Sequence, residues 1–312
     1  MPLLVGCGSA PLSMLQPAGP GSADIAQVWW AMLIGFGLVY LGVMALVLYA
    51  AYRKRPGAPA AVRWLLVGGG LVLPTAAVLA LLLWGIGRGQ SLLPTAQGTP
   101  VYRVEVRAHQ WWWQIRYPDA PGGALYSANE LHIPAGVPVD VHVSSNDVIH
   151  SFWAPRLGGK IDAIPGRVNV VRLQADAPGD YRGVCSEFCG AQHARMGLVI
   201  HAHDADALRA RLQQLAGGAH GRLRTGDARA YEQHCAACHS VDPTAESSQP
   251  APNLADLPLR ATLGAGTVDN SPAALRYWLR HHQAQKPGNR MPQQTLTDAE
   301  VEAIATYLES RP

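Results

Sequence analysis

Cysteine is scarce in this chain, net charge is small, and two long stretches carry no charge at all. Five cysteines in 312 residues cannot build the disulfide framework of a small secreted scaffold. Four of them fall in two tight pairs, Cys185 with Cys189 and Cys235 with Cys238, a spacing that suits metal or haem attachment. A formal net charge of +3 leaves no dense basic face, which excludes a nucleic-acid binder. Apolar residues, by contrast, make up 48% of the chain, concentrated in the uncharged stretches near the N-terminus. That distribution fits a membrane anchor carrying soluble domains, and the length allows two small folded units beside it.

The first uncharged stretch, Ile25 to Tyr52, runs 28 positions, enough to span a hydrocarbon core of roughly 30 Å. A second runs 24 positions from Trp64 to Gly87, with Pro74 inside it as an expected kink. Together they predict a transmembrane hairpin over residues 25–98. Its loop and the edge of that loop hold Arg53, Lys54, Arg55 and Arg63, so the loop is expected in the cytoplasm and both termini outside. Trp29, Trp30, Trp64 and Trp84 sit near the ends of the stretches, as membrane-interface anchors do. Residues 1–24 form a leader in which Leu4-Val5-Gly6-Cys7 looks like a bacterial lipoprotein cleavage site, although no Lys or Arg precedes it. A lipidated Cys7 and an ordinary cysteine both stay open.

Residues 99–203 change to short β-rich runs, such as Val101 to Val106 and Val137 to Val143, punctuated by Pro, Gly and Asn-Asp. They predict a small Greek-key sandwich or barrel. Residues 204–222 read as a short helix followed by a flexible joint at Gly217-Gly218. Residues 223–312 carry helical patterns around 228–235, 272–282 and 298–310, the last opened by the capping signal Thr297-Asp298-Ala299-Glu300.

The densest chemistry is Cys185-Ser186-Glu187-Phe188-Cys189-Gly190-Ala191-Gln192-His193-Ala194-Arg195-Met196, preceded by His150 at the end of a β-like run. Two thiolates, two imidazoles and a thioether can meet there. Soft sulfur with imidazole selects copper, and two cysteines bridging two ions would give a rigid centre that shares one electron. A structural zinc site on both cysteines and both histidines is the competing reading, for which Met196 is superfluous.

This motif resembles that of subunit II of the haem-copper oxidases, which carries the dinuclear copper centre CuA. The resemblance implies a cupredoxin barrel in which His150, Cys185, Cys189, His193 and Met196 supply side-chain ligands and Glu187 its backbone carbonyl. It also implies a magnesium ion reached by the Glu187 carboxylate at the boundary with subunit I. His109-Gln110-Trp111-Trp112-Trp113 is similar to the aromatic cluster above copper in that family, which makes Trp111 the candidate for electron uptake. Were this run a strand, Trp111 and Trp113 would share one face, so core packing is the alternative for each. Lys160 to Arg167 also follows the family pattern, in a region that lies near subunit I. One departure matters: the glutamate that many relatives place before the second-helix proline, at a proton channel, is Val67 here.

Cys235-Ala236-Ala237-Cys238-His239 is the attachment signature of c-type haem, two thioether bonds fixing the porphyrin and His239 binding iron. Met291-Pro292 follows 52 residues after His239. A methionine opposite histidine raises the haem potential, as a donor to copper requires. With Pro252-Asn253-Leu254 between them, residues 223–312 resemble an all-α class I cytochrome c. His281 and His282 are alternative distal ligands, expected on a helix and facing solvent. The remaining histidines, His132, His142, His201, His203, His220 and His234, lack comparable spacing and read as surface or structural.

The whole arrangement is similar to the fused subunit of caa3-type haem-copper oxidases. That resemblance implies a multi-pass protein of the bacterial inner membrane, in contact with lipid, with both soluble domains on the periplasmic or outer face. It implies subunit I and subunit III as partners, an external cytochrome c or other periplasmic donor, and electrons passing from haem c to CuA and on to subunit I, where oxygen is reduced to water and protons are moved. A CuA-containing nitric oxide reductase subunit and a free-standing membrane-anchored electron carrier are the competing functions. A nitrous oxide reductase would need a histidine-rich second copper domain, which is missing. Residues 99–203 carry nine Lys and Arg against nine Asp and Glu, and residues 223–312 eight against ten, so long-range attraction between the two is expected to be weak. A linker of about twenty residues, with an r.m.s. span on the order of 25 Å, would then hold them at millimolar effective concentration.

Overall fold

The computed structural model describes residues 10–53, 58–90, 93–94, 101–217, 228–247 and 250–310. Cys7, His220 and residues 54–57 of the basic loop lie outside them.

Residues 23–93 form one compact unit. Helix α1 (Pro20–Tyr52) starts five residues earlier than the uncharged run. The second span, Pro59–Gly89, is built from α2 (Pro59–Trp64), a π-helical stretch Leu65–Val72 and α3 (Leu73–Gly89). This π stretch lies immediately before Pro74, where the kink is expected. Pro74 has no N–H to donate to the preceding turn, and wider π winding through Gly68, Gly69 and Gly70 relieves its ring of the carbonyl it would otherwise strike. The Thr75 hydroxyl donates to the Leu71 carbonyl at 2.8 Å. Leu38 and Leu83 are 66% and 71% exposed, part of an apolar surface that water would not tolerate and lipid does.

The second unit holds a β-sandwich and a helical C-terminal part. Ten strands form the sandwich: β1 (Tyr102–His109), β2 (Trp112–Tyr117), β3 (Leu125–Ala128), β4 (Glu130–Pro134), β5 (Val139–Ser145), β6 (His150–Trp153), β7 (Ile161–Ala163), β8 (Asn169–Leu173), β9 (Gly179–Cys185) and β10 (Gly197–His203). They make two five-stranded sheets, ordered β3-β2-β1-β5-β8 and β4-β10-β9-β6-β7, in which β1 runs parallel to β5 and β10 parallel to β4. Period-two alternation points Val104, Val106, Val139, Val141 and Val143 inward from one sheet and Leu131, Ile133, Leu198 and Ile200 from the other.

Helix α4 (Ala205–Ala216) follows directly and lays Leu208, Leu212 and Leu215 onto the sandwich core. The short helix expected at the start of residues 204–222 is thus present and packed, so it does not act as free linker. The C-terminal part comprises α5 (Arg229–His234), the short pair β11 (Thr262–Leu263) and β12 (Val268–Asp269), α6 (Pro272–Gln285) and α7 (Asp298–Glu309). Its own core holds Tyr231, Leu257, Leu275, Leu279, Val301, Ile304 and Leu308. The expected cap of α7 is present in full, the Thr297 side chain accepting from the Glu300 N–H while the Glu300 carboxylate accepts from the Thr297 N–H.

Candidate functional site

Antiparallel pairing of β6 with β9 brings His150 beside Cys185, and the β9–β10 connection then returns Cys189, His193 and Met196 to the same end of the sandwich. The Sγ atoms of Cys185 and Cys189 stand 3.7 Å apart, unbonded. His150 Nδ1 lies 3.9 Å from Cys185 Sγ, His193 Nδ1 3.6 Å from Cys189 Sγ, and the Glu187 carbonyl oxygen 3.3 Å from Cys185 Sγ. Met196 is buried, its carbonyl accepting the Cys185 N–H at 3.0 Å. Metal–thiolate bonds of roughly 2.3 Å let two sulfurs at this separation share the same ions. Soft sulfur and imidazole surrounding a buried point fit copper. Hydrogen bonding to Cys189, assisted by His150, holds the Cys185 thiol below its ordinary value despite burial, and the same bond with burial raises Cys189. A cation entering the site would displace the proton that the pair retains.

Asp147 orients this cluster, a role that sequence reasoning missed. Its Oδ1 lies 2.8 Å from His150 Nε2, which leaves Nδ1 facing the sulfurs. The same carboxylate accepts the backbone N–H groups of Gln110 and Val148, each at 2.7 Å. Burial would raise the Asp147 pKa, but these bonds, led by that with His150, hold it at about 2. Its position three residues before His150 was the available signal. The Glu187 carboxylate stands 3.7 Å from Lys160 Nζ.

The tryptophan run divides differently from the strand expectation. Trp111 sits in the turn before β2, buried, with its indole N–H donating to the Cys189 carbonyl at 3.0 Å. Gly190, at φ +113°, lies against that indole; a Cβ there would come within 3.0 Å of the ring. Trp112 stacks on His109 with ring centroids 4.4 Å apart, and Trp113 fills the sandwich core.

In the helical part, Cys235, Cys238, His239, Met291 and Pro292 line one cavity of about 470 Å³, walled by apolar Leu254, Leu257, Leu263, Leu275, Trp278 and Leu279. His239 Nδ1 lies 2.7 Å from the Pro252 carbonyl, which fixes the ring, and burial lowers its pKa. These features fit a covalently held haem. Met291 is anchored through its carbonyl, which accepts from the Gln283 amide at 2.9 Å. His281 is exposed as expected, but His282 is not: it is fully buried, and neither ring nitrogen has a hydrogen-bond partner among the described residues. It follows Leu275 and Leu279 along the inner face of α6, and it does not line the cavity. His132 is likewise buried, its Nδ1 2.9 Å from His203 Nε2.

Trp111 and Trp112 of the sandwich also line that cavity, because the helical part is seated on the sandwich. Near-neutral totals do not make this seam weak, since short-range bonds hold it. Buried Glu130 accepts the N–H groups of Ala261 at 2.7 Å and Thr262 at 3.1 Å. Ser127 donates to buried Asp256 at 2.6 Å, the Gly197 N–H to the Ala265 carbonyl at 3.0 Å, and Arg211 to the Leu259 carbonyl at 2.9 Å. At the rim Arg107 pairs with Glu246 at 2.8 Å.

Two known families match consecutive parts of the chain: the periplasmic domain of cytochrome C oxidase subunit II over residues 122–203, and cytochrome c over residues 226–312. Cytochrome c oxidase subunit 2 of Alkalihalophilus pseudofirmus is 31% identical across 98% of this chain and 93% of its own length. The protein of the same name from Bacillus sp. strain PS3 is 28% identical over 99% of this chain and 94% of its own. Among solved structures, the periplasmic domain of subunit II of cytochrome oxidase of Bradyrhizobium japonicum is 30% identical over 39% of this chain and 96% of that one, with a TM-score of 0.36.

Proposed function

The chain belongs to the cytochrome c oxidase subunit 2 family, and from that premise we propose that it relays single electrons inward through its own haem domain to a CuA centre and on to subunit I of a caa3-type oxidase. One observation carries the reading: Trp111 lines the cavity that holds the haem signature while its indole N–H is bonded to the carbonyl of Cys189. When bound, haem c and a dinuclear copper centre supply two one-electron sites, and the oxygen chemistry belongs to subunit I.

On this reading His150, Cys185, Cys189, His193 and Met196 hold copper with the Glu187 carbonyl, and Asp147 keeps His150 in the tautomer that offers Nδ1. Cys235 and Cys238 would hold the haem by thioether bonds, with His239 and Met291 as its iron ligands. The apolar cavity wall keeps water from the haem, and burial of the sulfur cluster does the same for copper. Magnesium requires several oxygen ligands, so the half-exposed Glu187 carboxylate would contribute one while subunit I and water complete the shell. The two apolar spans anchor the chain in the bacterial inner membrane with both soluble domains on the outer face, subunit III alongside and an external cytochrome c or similar carrier as donor.

The test is metal and haem content of the purified chain with optical spectra through a stepwise reductive titration. Two coppers and one covalent haem per chain, with a purple mixed-valence copper spectrum, are expected. Zinc in place of copper would overturn the relay.

A further inference from the structure

Of the two lysines among the described residues, Lys286 is the buried one, 3% exposed, and its hydrogen-bond acceptors are not carboxylates. Its Nζ instead donates to three backbone carbonyls: Trp111 at 2.8 Å, Arg195 at 2.8 Å and Gly264 at 2.7 Å. Three acceptors match the three N–H bonds of an ammonium, one each. Burial, and after it the neighbouring Arg195 guanidinium, push the group down to about 7, with Cys189 opposing them.

The three carbonyls belong to three different loops. Trp111 is the indole bonded to Cys189, Arg195 immediately precedes Met196, and Gly264 sits in the β11–β12 turn of the haem domain. Lys286 itself ends α6, five positions before Met291, and lines the same cavity as Met291 and Trp111. One side chain thus ties the loop that bears a haem ligand to both copper-side loops. Nearby bonds reinforce the seat: the Gln192 amide donates to the Pro287 carbonyl, Arg195 to the Gln285 carbonyl, and Arg290 to the Gln110 side chain.

We propose that Lys286 is a positioning residue for electron transfer, fixing the haem cleft against Trp111 so that the fused domain works from one docked pose and not as a tethered shuttle. The proposal rests on the relay described above. In the transfer it governs, one electron leaves ferrous haem, which becomes ferric, and the copper pair is reduced by one.

The experiment uses the full chain loaded with both cofactors. Haem-to-copper transfer is timed after flash reduction at several solvent viscosities, and amide exchange is followed at Gly197, Ala261 and Thr262, whose N–H groups bond across the seam. In the unsubstituted chain the rate should not depend on viscosity. Lys286→Met should slow transfer several-fold and make it viscosity-dependent, because a haem domain no longer held in one pose must diffuse back into contact before each transfer. It should also speed exchange at Gly197 and leave both optical spectra intact. Lys286→Arg, which keeps a cation able to donate to several carbonyls, should recover much of the rate. An unchanged rate in Lys286→Met, or viscosity dependence in the unsubstituted chain, would overturn the positioning role. Should Lys286→Met fail to fold, the viscosity test on the unsubstituted chain still decides. Both centres present but no transfer between them in the unsubstituted chain would instead overturn the relay itself.

Discussion

Replacing Asp147 by Asn tests whether the copper cluster depends on its outer support. The carboxylate offers two oxygens to three donors: Oδ1 receives His150 Nε2 and the Val148 N–H, and Oδ2 the Gln110 N–H. An amide has one oxygen, so in either orientation its NH2 must confront at least one of these N–H groups. With the oxygen kept toward His150, the Gln110 N–H is left without an acceptor, and the bond that orients the imidazole loses its charge. Bonds to charged groups contribute about 1.5–3 kcal/mol and neutral ones about 0.5–1.5, so orienting His150 weakens by about 1–2 kcal/mol. Loss of outer support of this kind lowers metal affinity by about 10–100-fold. The assay is copper titration of the full chain against a competing chelator, read at the purple absorption, with the haem band as a control for folding. Asp147→Asn should lose affinity within that range and release copper faster, with the haem unaffected. Unchanged affinity and an unchanged copper spectrum would refute the assignment of Asp147 as the residue that sets the His150 tautomer.

Met291→Leu should leave the haem covalently attached but lower its midpoint potential, because a high potential requires the thioether; an unaltered potential in a redox titration would move the distal ligand elsewhere. Glu300 is held at about 2, mainly by the Thr297 N–H and hydroxyl, so the unfolded chain binds more protons than the folded one between that value and 4.5. Its contribution is therefore complete above pH 4.5 and lost as pH falls toward 2, and Glu300→Gln should flatten that part of the acid-unfolding curve followed at the haem band. Haem-to-copper transfer within the chain should change little between low salt and 0.5 M salt, because buried and short-range bonds escape screening over a Debye length of roughly 10 Å at 0.1 M. A steep salt dependence, measured by the same flash method, would mean that the rim pair Arg107–Glu246 and not the buried seam holds the domains together.

The chemistry was legible wherever its residues are close in sequence. Five of the six residues proposed for copper fall between Cys185 and Met196, and the haem signature occupies five consecutive positions, so chain connectivity alone brings them together. His282 shows how a local signal was available but misread. At seven residues after Leu275 and three after Leu279 it continues the inner stripe of α6, and helical periodicity places it inward. Helix α4 was expected as a helix, and its apolar stripe of Leu208, Leu212 and Leu215 at four- and three-residue spacing also marks it as packed. Trp111 departed from the strand rule because β2 begins at Trp112, one residue after the tryptophan run does. Lys286 carries no such mark. Its three acceptors are backbone carbonyls, which leave no trace in residue type, and two of them are 175 and 91 positions away.

That same contrast explains how two nearly neutral domains can dock firmly. Net charge governs approach at long range, whereas a seated pose depends on whether each buried polar group finds a partner. Glu130, Asp256 and Lys286 are all buried at the seam, and each is met by backbone or hydroxyl groups from the opposite side. Such groups are costly if the domains separate only partly, because a small opening breaks the bonds before water can replace them. The seam thus favours a single pose over a set of loose ones. In that pose Trp111 is 8% exposed and forms part of the haem cavity wall, so a soluble carrier cannot reach it directly. On the proposed relay, electrons from outside would first reduce the fused haem, and the outer surface of the haem domain would be the place where the choice of donor is made.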